Sequence, residues 1–396
     1  MSMSPTPTHQ HQRYLPKPLK GPIIIGYASN AKSGKAERAI NVDGANVIIW
    51  SFVHLESTDD DNDNEDSNND NKKERGKIRT GSRDDWSHGG LDLGEIKKIR
   101  ERYKHVLHLA AFGGWNGPHP PPTSHLSGKD WFDVFHQFNI DNGYLFDGVD
   151  WDYEGHDDLS SPTAKFTLQA LDIMVEFSLE SKKHGYVVSM APAESYLDAS
   201  IKPGSIDEQF SLSLDLEPRA WTSDRYHATE EDRALVQSKG FSHAGRQCYA
   251  YVIAKAGIDT FDWISIQLYE SYSPFAHDIH RRNIDPVEAL MIRINRLVDG
   301  YKVSNLPMEP TDYEVKVPLD KLIIGLGNSW VDGLKVCKVD PASVRRAYES
   351  TLAKYGQGFL GCMFWTIEEE GETEDKRLTH LLKTEFNKLG QRSSEL

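Results

Sequence analysis

The chain is short of cysteine and of long apolar runs. Cys248, Cys337 and Cys362 are its only cysteines in 396 residues. An odd count of this size does not build a disulfide framework. No run approaches the ~18 apolar residues of a membrane span. The segment from Met1 to Pro22 is rich in Pro, His, Gln and Thr and holds no apolar signal core. Asn-x-Ser/Thr sequons are absent throughout. These absences predict a reducing, intracellular setting, with the cytoplasm favoured over secretion. They fit release by an unusual route as well. Cations are also scarce: 45 Lys and Arg face 60 Asp and Glu, for a net charge of −15. That balance argues against nucleic acid or an anionic membrane as partner. It suits a neutral or weakly cationic substrate.

What remains is enough for a large core. Hydrophobic residues make up 38% of the chain, which is compatible with a soluble globular protein. Eight short apolar runs stand at Ile23–Tyr27, Val47–Val53, Val106–Phe112, Tyr144–Asp152, Tyr186–Ala191, Trp263–Tyr269, Leu322–Leu326 and Gly358–Phe364. Helical patterns separate several of them. Asp285-Pro286-Val287-Glu288 reads as an N-cap, a proline at the first helical position and a capping-box acid. Val287, Leu290, Met291, Ile294, Leu297 and Val298 then recur at helical spacing. Asp340-Pro341 opens a second helix. Leu168, Leu171, Val175 and Phe177 mark a third. Eight strand-like runs alternating with helices predict an α/β fold that closes as a (β/α)8 TIM barrel. A doubly wound open sheet is the alternative, but no Gly-rich phosphate loop follows the first run. The barrel is expected over residues 21–390, after a flexible tail at 1–20. No internal repeat is visible.

Two insertions interrupt the spacing. Asp59 to Asn71 contains only Asp, Asn, Glu and Ser. Such a run cannot form a core, and residues 58–85 are expected to be a disordered acidic loop. A Ca²⁺-binding reading lacks the Gly turn and spaced ligands of a known loop type. The second insertion, 199–247, falls where a barrel carries its functional face.

The residues with most chemistry lie in Phe146-Asp147-Gly148-Val149-Asp150-Trp151-Asp152-Tyr153-Glu154. The run has strand character. Alternation puts Asp150, Asp152 and Glu154 on one face and Val149, Trp151 and Tyr153 on the other. Neighbouring carboxylates on that face are roughly 7 Å apart. Crowding three of them gains nothing in stability. It pushes their pKa values apart, which suits a proton donor beside an ionised partner. An edge strand made soluble by alternating acids is one bland alternative. A Ca²⁺ loop is another, although it would want small turn residues in place of Val, Trp and Tyr. Glu154 falls at the C-terminal end of the fourth strand, a catalytic position in a barrel. In Trp263–Tyr269 the alternation Trp, Ser, Gln, Tyr against Ile, Ile, Leu puts the polar face inside the barrel.

Asp-Gly-x-Asp-x-Asp-x-Glu resembles the signature of glycoside hydrolase family 18, the chitinases and their relatives. Other elements follow in matching order over roughly residues 22–390. Ala111-Phe112-Gly113-Gly114 resembles the family's Ser-x-Gly-Gly, with Ala111 replacing the Ser. Met190-Ala191-Pro192 resembles its fifth strand. Gln267, Tyr269 and Glu270 stand at the end of the sixth, where Glu270 replaces the usual Asp or Asn. Trp365 matches the aromatic floor of the sugar site. Tyr27 and Phe52 match positions close to the bound sugar.

The resemblance implies a retaining, substrate-assisted hydrolase. Glu154 would be the acid, Asp152 the residue that holds the acetamido group, and Asp150 its proton-sharing partner. Tyr269 would orient the acetamido oxygen. Tyr27, Phe52, Gly114, Trp115, Met190, Gln267, Glu270 and Trp365 would bind substrate. With Ala111 in place of Ser, Asp150 is expected to lack a hydroxyl donor. Trp115, Tyr196, Tyr272 and Trp330 read equally as substrate contacts or as packing. No cofactor and no metal are expected: His88, His156 and His277 lack ligand spacing. The expected partner of a monomeric chain is chitin or an N-acetylglucosamine oligosaccharide. An endo-β-N-acetylglucosaminidase acting on N-glycans is the enzyme alternative, and a chitin-binding lectin the non-enzyme one. The retained Glu154 speaks for an enzyme.

Overall fold

The computed structural model describes residues 19, 21–58, 74–80, 91–120, 122, 124–155, 166–199, 208–212, 245–269, 273–280, 282–328 and 337–391. The tail 1–20 apart from Leu19, the acidic run Asp59–Asn71, most of 199–247, and His88, His156, Glu270, Tyr272 and Trp330 lie outside them.

Eight parallel strands form a closed ring. Among the described residues there are eleven strands, in chain order β1 (Ile23–Ala28), β2 (Val47–Thr58), β3 (Arg75–Thr80), β4 (Leu107–Gly114), β5 (Gly148–Tyr153), β6 (Val187–Met190), β7 (Trp263–Gln267), β8 (Tyr301–Val303), β9 (Tyr313–Val315), β10 (Leu322–Gly327) and β11 (Gly361–Trp365), and all but β3, β8 and β9 belong to the ring. The sheet runs β1-β11-β10-β7-β6-β5-β4-β2, and pairing of β1 with β2 closes it. Helices pack outside, as expected for a (β/α)8 TIM barrel. All eight apolar runs of the sequence supply a barrel strand, in order.

The helix starts follow the local chemistry. Asp285 caps Pro286–Asp299 by accepting from the Val287 amide at 2.8 Å. Asp340 caps Pro341–Tyr355 through the Ser343 amide at 2.9 Å. Thr167 caps Leu168–Lys183 through the Ala170 amide at 3.0 Å. Leu171, Val175 and Phe177 on that last helix are buried, whereas Leu168 in its first turn is exposed.

The core has two compartments. Ile24, Trp50, Phe112, Trp151 and Ile266 belong to the larger one, between barrel and helices. Ile25, Ile49, Leu109, Val187 and Met363 fill the barrel itself. Burying each such side chain contributes about 1.5–3 kcal/mol. Trp151 lies on the helix side, where its indole donates to the Ser178 Oγ of Leu168–Lys183 at 2.8 Å. Gly148 has a steric reason: a Cβ there would stand 2.2 Å from the Val187 carbonyl oxygen of the neighbouring strand.

The range 58–85 needs correction, because it contains strand β3. Val53 of β2 is still in register with Phe112 of β4, and from Val53 to Thr58 the strand pairs antiparallel with β3, Val53 facing Thr80 and Thr58 facing Arg75. Within Arg75-Gly76-Lys77-Ile78-Arg79 only Ile78 is fully buried. Gly76 lies against Trp131, where a Cβ would clash at 2.7 Å. A second small sheet, β8 with β9, precedes β10. No described helix is long and apolar enough to cross a membrane.

Candidate active site

Strand β5 carries its acids up the inside of the barrel towards the open end. Exposure rises in that direction, from 0% at Asp150 to 2% at Asp152 and 7% at Glu154. The deepest acid is thus out of water and the last one reaches the mouth.

Asp150 sits in a ring of aligned residues. Its register partners are Ala111 on β4 and Ser189 on β6. Tyr27, at the end of β1, donates its phenol to Asp150 Oδ2, and the Ser189 hydroxyl donates to Oδ1. Both oxygens therefore accept from hydroxyls. Burial pushes the Asp150 carboxyl up to about 6, with the two hydroxyls pulling the other way. Burial, reinforced by the Asp150 charge, raises the Tyr27 phenol well above its ordinary range, so it stays a donor. The expectation that Asp150 lacks a hydroxyl is corrected: Ala111 offers none, but its counterpart across Asp150 does. Tyr27 takes a part in the acid cluster that its match to a sugar-side position did not suggest.

Asp152 and Glu154 are joined by a side chain from β7, two strands away in the ring. The Gln267 side-chain amide donates to Asp152 Oδ1 at 2.7 Å and to the Ala191 carbonyl at 2.7 Å, and lies 3.5 Å from Glu154 Oε1. Gln267 ends β7, and its own backbone amide donates to the Pro192 carbonyl at 2.9 Å. Its place inside the barrel follows from the alternation along β7.

The backbone around Glu154 is also held. His119 donates a ring N–H to the Glu154 carbonyl at 2.8 Å. Asn116 donates its amide to the Gly155 carbonyl at 3.2 Å. Tyr249, on the helix Cys248–Ala256, donates its hydroxyl to the Tyr153 carbonyl at 3.0 Å. His119 and Tyr249 were not singled out from sequence, because neither sits in a patterned element of its own. Ser189 was missed too, although it is the lone polar residue of Val187-Val188-Ser189-Met190.

Aromatic residues gather at the mouth. Phe52 and Trp365 stack at 5.3 Å with 16° between their planes, and Tyr27 meets Trp365 at 5.5 Å. Gly114, with φ +84°, lies under the Phe52 ring. Tyr269, just beyond β7, is 8% exposed and close enough to Tyr27 for the two phenols to interact electrostatically. Trp115 is half-buried on the turn after β4. Tyr196 is wholly buried and stacks on Tyr249, so it is packing.

Met190 is a correction. It belongs to the outer core with Val188 and Trp151, away from the acids. Its register partner is Trp151, and alternation turns both outward. The inward neighbours are Ser189 and Ala191. Glu270 lies outside the described residues.

The segment following β6 is anchored by a buried ion cluster. Glu194 pairs with Arg293 Nε at 2.8 Å and accepts from the Phe275 amide at 2.8 Å. Arg293 also reaches Asp278 at 2.5 Å. Burial pushes Glu194 up to about 7 despite the Arg293 charge.

The family signal extends beyond the signature strand. Residues 23–216 match the family model described as glycosyl hydrolases family 18. Over those residues the chain resembles glycoside hydrolase family 18. A fungal endo-β-N-acetylglucosaminidase of family 18 is similar in fold, with TM-score 0.50 and 14% identity, over 92% of this chain and 98% of that one. A family 18 chitinase from Pseudoalteromonas aurantia aligns with TM-score 0.47 and 16% identity, over 92% and 99% of the respective chains. A chitinase from Bacteroides thetaiotaomicron aligns with TM-score 0.48 and 13% identity, over 93% and 96%. No curated protein matches the sequence.

Proposed function

We propose that this chain hydrolyses β-1,4 linkages between N-acetylglucosamine units of chitin or its oligosaccharides, with retention and with help from the substrate. The observation that carries this reading is the Gln267 amide bridging Asp152 and Glu154 at the barrel mouth. An acid at the rim and a held carboxylate one step below are what the two-step route needs. Glu154 gives its proton to the glycosidic oxygen as the bond to the anomeric carbon breaks. The carbonyl oxygen of the sugar's own 2-acetamido group attacks that carbon. Asp152 accepts from the acetamido N–H and offsets the positive charge of the cyclic oxazolinium. Tyr269 donates to the acetamido oxygen and aligns it. Water then opens the ring, with Glu154 taking its proton. The Phe52–Trp365 face offers an apolar floor for a pyranose. The three cysteines are free and buried, which supports action in a reducing compartment.

The test is chromophore release from aryl chitobioside and chitotrioside, run beside an N-glycosylated protein. Activity is expected on the chito-oligosaccharides, with inhibition by a thiazoline analogue of N-acetylglucosamine. Glu154→Gln should lower turnover by about 10²–10⁴-fold. Comparable turnover of plain glucosides without thiazoline inhibition overturns the mechanism. Action on the glycoprotein alone moves the substrate to N-glycans. Oligosaccharide binding without turnover makes the protein a lectin.

A further inference from the structure

Asp150 lies between two strands that treat it differently. On the β4 side its register partner is Ala111, fully buried and without a polar atom on its side chain. On the β6 side it is Ser189, also fully buried, whose hydroxyl donates to Asp150 Oδ1. The remaining oxygen accepts from Tyr27. A serine in the apolar run Val187-Val188-Ser189-Met190 brings little to packing. Its one side-chain polar atom is spent on the carboxylate.

We propose that Ser189 is a positioning residue of the acid cluster, holding Asp150 in the rotamer and charge state from which it serves Asp152. The hydroxyl favours the ionised carboxylate, because a donor to a charged oxygen is worth more than a donor to a neutral one. It also leaves Tyr27 to bind the other oxygen, so the carboxylate plane is fixed from both sides. The groups that share its field are Tyr27 from β1, Asp152 and Glu154 from β5, Tyr249 from the helix Cys248–Ala256, and Tyr269 beyond β7. Each is acidic, and loss of a proton from any of them opposes charge on Asp150. Ser189 is a neutral group that favours that charge.

The register supplies the test. Position 111 flanks Asp150 as position 189 does, on the opposite side. A hydroxyl removed by Ser189→Ala is therefore replaceable by Ala111→Ser. Protonation of Asp150 is followed by the infrared band of the protonated carboxyl, assigned as the band that Asp150→Asn removes. In Ser189→Ala the band should persist to a pH higher by about one unit than in the wild type. In the double variant Ser189→Ala/Ala111→Ser it should return towards the wild-type position. Ser189→Cys, close in size and a weaker donor, should fall between, and it serves if the alanine variant folds poorly. Titrations that overlay in wild type, Ser189→Ala and Ser189→Cys overturn the proposal. So does a shift that Ala111→Ser leaves uncorrected.

A rate arm rests on the hydrolase reading. The acidic limb of the pH–rate profile should follow the band in each variant, as a property of the Asp150–Asp152 pair. Shifted bands with unshifted rate limbs overturn the link to Asp152. Absence of wild-type hydrolysis overturns the hydrolase reading alone, since the infrared titration does not depend on turnover.

Discussion

The Gln267 amide holds Asp152 by a 2.7 Å hydrogen bond that passes over the intervening strand β6. A donor from β7 thereby sets the orientation of a carboxylate on β5. Hydrogen bonds to charged groups are worth about 1.5–3 kcal/mol. Gln267→Leu keeps approximate size and removes the donor. It should lower kcat/KM on aryl chitobioside by about tenfold or more. Steady-state kinetics decide the point, and an unchanged kcat/KM would show the amide to be dispensable.

Asp150 makes stability depend on pH in a stated direction. Burial raises its folded carboxyl from an ordinary value of 3.8 to about 6. Below the ordinary value both states hold the proton. As pH rises towards 6 the unfolded chain releases it first, so the group's relative stabilisation is lost through that window. Asp150→Asn removes the titration, and the Tyr27 and Ser189 hydroxyls can rotate to suit the amide. The variant should therefore gain on the wild type by about 2–3 kcal/mol between pH 4 and pH 7. Thermal midpoints at the two pH values measure it; an equal gap at both would contradict the raised carboxyl.

Arg293 is buried between Glu194 and Asp278. Arg293→Met leaves buried Glu194 without its cation, while Asp278 keeps Arg282 at 2.8 Å; breaking such a buried pair typically costs about 3–5 kcal/mol. Without the arginine, Glu194 should take up a proton more readily, since its carboxyl already stands near 7. The loss of thermal midpoint is thus expected to be smaller at pH 5 than at pH 8. A loss independent of pH would place its cause in packing.

Gly114 allows the aromatic floor to form. A Cβ there would stand 2.3 Å from the Phe52 ring, and its φ of +84° disfavours side chains. Gly114→Ala should push Phe52 off its stack with Trp365. Oligosaccharide KM should rise several-fold, on the order of the 0.5–1.5 kcal/mol that aromatic pairs contribute. The expected mark is a larger effect on KM than on kcat.

Much of this architecture was legible because barrel strands are short apolar runs with local punctuation. The outward turn of Trp151 and the inward turn of Gln267 follow from alternation alone. The source of the hydroxyls on Asp150 does not, because Ser189 reaches it only through the register between separate strands. Met190 illustrates the opposite error. It stood in a matching tripeptide, yet parity puts its neighbour Ser189 on the acid side. Strand β3 was hidden because Arg75, Lys77 and Arg79 leave it one fully buried apolar side chain, and its partner strand lies across the acidic insertion. His119 and Tyr249 reach backbone carbonyls, which carry no sequence signature.

Strand β5 belongs to two surfaces at once. Asp150, Asp152 and Glu154 face the barrel interior, while Val149, Trp151 and Tyr153 face the helices. A slip by one residue would exchange the two sets. It would put indole and phenol where the acids stand and drive carboxylates into the helix-packed core. Misregistered chains of this strand are therefore unstable, and a fold with the acids turned outward is disfavoured. Insertions and deletions in the hinterland of β5 should be purged at the level of folding, before any selection on catalysis acts.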